Sequence, residues 1–130
     1  VGGVATSGRH GRSHSLGIAD AVTVLARDAA RADAAATLIA NAVDLPGHPS
    51  VTRVPAEELS PDSDLGPRLV TTDLGPLTAS EIDRALAAGL SLAEDYRARG
   101  LIHAACLALS GERRMIGPAL MIPEEEPAHA

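Results

Sequence analysis

The chain predicts an α+β fold in which two main helices cover one face of a mostly antiparallel sheet. Three observations carry this reading. Short β-branched apolar runs stand at both ends of the sequence, and two longer stretches between them carry helical periodicity. The order reads strand, helix, short strands, helix, two strands. The last two runs are joined by Ser110-Gly111-Glu112, a turn that folds one strand back on the next.

Each element has its own local reason. Val4 to Ser7 is a short extended run, and the glycines of Gly8-Arg9-His10-Gly11-Arg12-Ser13 supply the positive φ that a turn needs. Asp20 to Ala26 is β-branched and apolar, a buried strand. Asp28 is an N-cap for a helix to about Asp44, stopped by Leu45-Pro46-Gly47. Between Ala34 and Val43 this helix carries no charge, so it is expected to be covered on both flanks. Residues 46–77 are rich in Pro and Gly, with short strands at Val51–Val54 and Arg68–Thr72. Thr78-Ala79-Ser80-Glu81 is a capping box, with Leu77 and Ile82 as its hydrophobic staple. The helix it opens runs to Arg99 and closes at Gly100. Leu101 to Leu109 reads as a central strand, which makes His103 a core histidine, and Arg113–Ile116 is its hairpin partner. Residues 1–122 form one domain, and residues 123–130 are a charged, proline-bearing tail expected to be disordered.

Composition narrows the function. The chain has 130 residues, of which 45% are apolar but only 1% aromatic, with Tyr96 alone and neither Phe nor Trp. Its core is therefore built from Ala, Leu, Val and Ile. Eleven cations, all Arg, face 17 carboxylates for a net charge of −6. An acidic chain without stacking platforms is a poor nucleic-acid binder. No apolar run reaches the roughly 18 residues that span a bilayer. A single cysteine, Cys106, excludes an internal disulfide and a Cys-rich zinc site. The expected setting is the cytoplasm. The chain opens on Val1 without Met, which reads as a piece of a longer precursor whose targeting signal, if present, lies upstream.

Several residues are candidates for chemistry. Asp33, Thr37 and Asn41 fall at i, i+4, i+8 along one stripe of the first helix. A carboxylate and a hydroxyl one turn apart suit a hard cation such as Mg²⁺; the alternative is an Asp favoured by the helix dipole and an Arg such as Arg31. Thr6, Ser7 and Gly8, followed by Arg9, Arg12, Ser13 and Ser15, gather hydroxyls, backbone N–H groups and guanidinium forks, which suit phosphate oxygens. No P-loop motif is present, and a hairpin turn with solvated arginines explains the same residues. His14 is either a proton-transfer residue or a hydrogen-bonded loop residue. Asp62-Ser63-Asp64-Leu65-Gly66 lacks the sixth-position Gly and the distal Glu of a calcium loop and reads as a turn or helix cap.

These segments resemble the ApbE-like superfamily, whose type member is FAD:protein FMN transferase. The resemblance rests on Val4-Ala5-Thr6-Ser7-Gly8, Asp20-Ala21-Val22-Thr23-Val24 and Ala32-Asp33-Ala34-Ala35-Ala36-Thr37. Asp62 to Gly66 and Leu101-Ile102-His103-Ala104-Ala105 look like an uncharacterised branch of that superfamily, and the chain looks like its C-terminal half. The resemblance implies that Asp33 and Thr37 hold Mg²⁺ beside an FAD pyrophosphate. It implies that Thr6 and Ser7 lie near the nucleotide. His14 falls where the transferases carry a His leading an Asp-Pro-x-Thr-Gly stretch, but Ser15-Leu16-Gly17 follow here.

Two functions follow as expectations. The first is a Mg²⁺-dependent transferase that passes FMN from FAD to a flavin-accepting protein, with His14 as the base. The second is a non-catalytic flavin- or nucleotide-binding module, or a subunit serving a redox enzyme. Either FAD or FMN would be the cofactor. A flavin ring wants large apolar walls that one tyrosine does not supply. The N-terminal half of the precursor, or a second copy in a homo-oligomer, is therefore the expected partner.

Overall fold

The computed structural model of the chain describes residues 2–8, 16–56 and 68–117. Four strands make the main sheet: β1 (Gly3–Ser7), β2 (Ala21–Ala26), β5 (Ala104–Leu109) and β6 (Glu112–Ile116), in the order β1-β2-β5-β6. Every neighbouring pair is antiparallel. Helix α1 (Ala29–Ala42) packs on β1 and β2, and α2 (Ala79–Ala98) packs on β5 and β6. Strands β3 (Val51–Pro55) and β4 (Leu69–Leu74) form a separate ribbon. The sequence reading of two helices on an antiparallel sheet matches this architecture.

Strand alternation divides the sheet into two faces. Val22, Val24 and Ala26 of β2 and Ala105, Leu107 and Leu109 of β5 join the core beneath the helices. Leu25, Ala104, Cys106 and Met115 form a smaller cluster on the other face. With one aromatic residue, the helical layer closes by close approach of small side chains. Ala32, Ala36 and Ala40 line the buried side of α1, and Ala85, Gly89 and Ala93 that of α2. A Cβ on Gly89 would sit 2.3 Å from Val43 Cγ2, so that position has no room for a side chain.

The helix ends follow local chemistry. Asp28 accepts a hydrogen bond from the Arg31 amide at 2.8 Å and caps α1. Thr78 and Glu81 form both halves of the capping box on α2. At the other end Gly100, at φ +78°, donates to Arg97 O and Leu101 donates to Tyr96 O, a Schellman closure. That closure corrects the sequence reading of β5. Leu101 is bound into the end of α2, so the strand starts only at Ala104, and His103 is an exposed residue rather than a core one. The hairpin turn has positive φ at both Ser110 and Gly111, the requirement of a tight antiparallel reversal. Helix α1 is buried along one side only: Asp33, Ala34, Thr37 and Leu38 are exposed, so this chain leaves one flank open. The tail 123–130 and Asp62 to Gly66 lie outside the described residues.

Candidate functional site

The direction of the elements decides what meets. A Cβ on Gly3 would collide with the Asp28 carbonyl carbon at 2.1 Å, so the start of β1 lies against the start of α1. A Cβ on Gly8, at φ +149°, would meet Asp20 O at 2.4 Å at the other end of β1. Gly17 is pressed against Ala40 O and Val43 O near the end of α1. Residues 9–15, which hold Arg9, Arg12 and His14, lie outside the described residues. Their flanking residues, Gly8 and Leu16, are both placed at the end of the domain where α1 finishes.

The helix stripe leads to the same place. Asn41 Oδ1 accepts from the Leu16 amide at 3.2 Å, so the last member of Asp33-Thr37-Asn41 holds the first described residue after position 15. Arg53 completes the junction. A register irregularity in β3 falls between Thr52 and Arg53, and the Arg53 guanidinium donates to Leu16 O at 2.8 Å and pairs with the Asp44 carboxylate. Bulges re-aim side chains in this way. Sequence reasoning missed Arg53; only an unexpected Arg in a β-branched run hints at it.

The predicted nucleotide residues are not all brought together. Ser7 lies on the helix-facing side of β1. Thr6 faces the opposite side, where its hydroxyl shares a hydrogen bond of 3.0 Å with Thr23. Asp33 and Thr37 are exposed on α1, which leaves their oxygens available but removes burial as the argument for a cation. A carboxylate and a hydroxyl one turn apart are oxygen donors of the kind Mg²⁺ takes, with phosphate and water commonly supplying the rest. Among the described residues no group of three or more His, Cys, Asp or Glu could hold an ion by itself.

A cleft of about 520 Å³ opens beside this junction, lined by Asp44 to Pro49 with Arg84 and Ala88 of α2. His48 stands in its wall. Ser50 N–H donates to His48 Nδ1 at 3.0 Å, so that nitrogen is the acceptor and the ring proton sits on Nε2. Nε2 then donates to Glu81 Oε2 at 2.6 Å. The backbone N–H of Thr78, with the His48 ring second, holds the Glu81 carboxyl down at a pKa of about 2. Both ring nitrogens are engaged, so His48 ties the turn to α2 instead of standing ready as a base. The sequence showed Glu81 as a cap but gave no sign of His48, which lies 33 residues away.

A family model described as AbpE bacteria matches residues 1–115. The chain belongs to this bacterial ApbE family. The ApbE assignment agrees with the sequence resemblance and with the α+β architecture, and the match takes in every candidate site residue. No curated protein and no solved structure matches the chain. Among the described residues no helix is long and apolar enough to cross a membrane.

Proposed function

We propose that this ApbE-family chain binds a flavin dinucleotide at the end of the domain where β1 and α1 finish. The observation that carries the reading is the Asn41–Leu16 hydrogen bond. It ties the Asp33-Thr37-Asn41 stripe to Leu16, two residues after His14 in sequence, and this supports the reading. In this proposal Thr6, Ser7 and Gly8 contribute to nucleotide binding, and Arg9 and Arg12 face the pyrophosphate. Asp33 and Thr37 hold Mg²⁺, which when bound would neutralise phosphate charge. His14 takes the proton from an acceptor Ser or Thr hydroxyl. That oxygen bonds to the FMN phosphorus, the pyrophosphate bond breaks, and AMP leaves with the bridging oxygen.

One departure favours a second reading. The chain has Ser15-Leu16-Gly17 where the transferases carry Asp-Pro-x-Thr-Gly, and Leu16 and Gly17 are locked onto α1. That supports a non-catalytic flavin- or nucleotide-binding module, alone or as a subunit of a redox enzyme. Under either reading we propose that the chain acts in the cytoplasm. It would work with a second copy of the chain, which supplies the flavin wall.

Calorimetric titration of FAD and FMN with and without Mg²⁺ tests the binding. Asp33→Asn should lose the Mg²⁺-dependent part of FAD affinity, about tenfold or more, while the melting temperature holds. Arg9→Ala or Arg12→Ala should weaken FAD in both the presence and absence of Mg²⁺. Equal affinities in all three variants would overturn the proposal. Transfer of FMN to a Ser- or Thr-bearing acceptor, followed by mass, separates the enzyme from the binding module.

A further inference from the structure

The cleft between the turn after α1 and helix α2 has a volume of about 520 Å³, within the range of small-molecule sites. None of its lining residues is assigned to the flavin. Its walls are already fixed. Pro46 and Pro49 each lock φ in the turn, and the His48 ring, held at both nitrogens, ties that turn to Glu81 of α2. A preformed site of this kind needs little ordering when it is filled.

Charge around the cleft is paired, with one exception. Asp44 is joined to Arg53, and Glu81 is held by the Thr78 amide at 2.8 Å and by His48. Arg84 has no such partner. Helical spacing offers it Glu81 three residues earlier, but that carboxylate is engaged, and the adjoining Asp83 pairs with Arg114 of β6 at 3.2 Å. One turn later the position is Ala88, another cleft residue. Arg31 and Arg99, by contrast, each close on the acid three or four residues before them. Among the described residues Arg84 makes no ion pair or hydrogen bond, and the Gly47 N–H on the turn side of the cleft donates to none of them.

The rest of the lining indicates what the anion is attached to. Leu45, Pro46, Pro49 and Ala88 are aliphatic, and no aromatic ring lines the cleft to stack on a base or a flavin. A single unpaired guanidinium matches a single negative charge. Asp44 in the wall and Glu81 behind His48 would repel the second charge of a phosphate monoester. We propose that this cleft binds an aliphatic monocarboxylate, whose carboxylate pairs with Arg84 and whose chain lies along Leu45, Pro46, Pro49 and Ala88.

Octanoate is the probe, titrated into the full chain by calorimetry while the amide shifts of the isotope-labelled protein are followed. It should bind saturably and about tenfold or more tighter than acetate, because its chain buries apolar surface. Octylamine should not bind, and the shifts should centre on Gly47, His48 and Ala88. Arg84→Gln should lose about tenfold or more in octanoate affinity, and Arg84→Lys less, since Lys keeps the charge without the fork. Arg84 and Ala88 are both exposed, so the melting temperature should hold. Ala88→Glu is the independent variant, in which repulsion should weaken octanoate as well. Added FAD should leave the octanoate titration unchanged, so that failure of the flavin reading and failure of this site are seen separately. The proposal is overturned by an octanoate titration that does not saturate, by an affinity unchanged in Arg84→Gln, by equal binding of octylamine, by displacement with FAD, or by shifts centred elsewhere.

Discussion

Glu81 serves two partners with one carboxylate. Oε1 accepts from the Thr78 amide at 2.8 Å, and Oε2 accepts from His48 Nε2 at 2.6 Å. Both favour the charged form, so the pKa falls from an ordinary 4.5 to about 2. The linkage has a definite sign. A depressed carboxylate contributes stability that is complete above pH 4.5 and lost as pH falls towards about 2. Glu81→Gln puts an amide N–H against the His48 N–H or gives up the cap. Urea unfolding of the two proteins should show the wild-type advantage shrinking as pH falls through that window. An advantage that does not change with pH would refute the account. The exposed pairs Asp28–Arg31 and Asp95–Arg99 matter less, since such pairs contribute about 0–1 kcal/mol.

At the scale of elements, helix α2 was legible almost residue by residue, because its start and stop are written in neighbouring side chains. Thr78→Ala removes the acceptor for the Glu81 amide and should cost about 1 kcal/mol. Gly17 is the contrasting case. A Cβ there would stand 2.4 Å from Ala40 O and 2.8 Å from Val43 O, both backbone atoms that cannot swing aside. Gly17→Ala should therefore cost more, about 1–3 kcal/mol, by pushing Leu16 to Ile18 off α1. Denaturant midpoints of the two variants give the comparison, and a Gly17→Ala protein as stable as wild type would show that the junction is loose. No periodicity marks Gly17, since its neighbours in space come from a helix more than twenty residues later.

For the whole molecule, the open flank of α1 and the lack of aromatic walls point the same way. Leu38 is 51% exposed, with Ala34 exposed on the same side of the helix. Tyr96, the one aromatic residue, packs against the helical core. We expect the isolated chain to associate through this flank. Size exclusion with light scattering decides between this and a 13.2 kDa monomer with a sharp cooperative melt, which would contradict it.

The sequence by itself determined the order and type of the elements, both helix caps, the Pro-Gly stop after α1 and the Ser-Gly hairpin. Each depends on residues within about four positions, where propensity and hydrogen bonding act locally. It also marked the Asp33-Thr37-Asn41 stripe, because helical spacing is fixed by backbone geometry. It misread Leu101 and His103, since an apolar run looks the same whether it pairs in a sheet or closes a helix. Only the tertiary structure decided which side of β1 lies under the helices, and that Asn41 and Arg53 meet at Leu16. The partners there lie 25 and 37 residues from Leu16 in sequence. Contacts of that range exist only once the ribbon and helices have packed, and no local pattern encodes which side chain will be waiting.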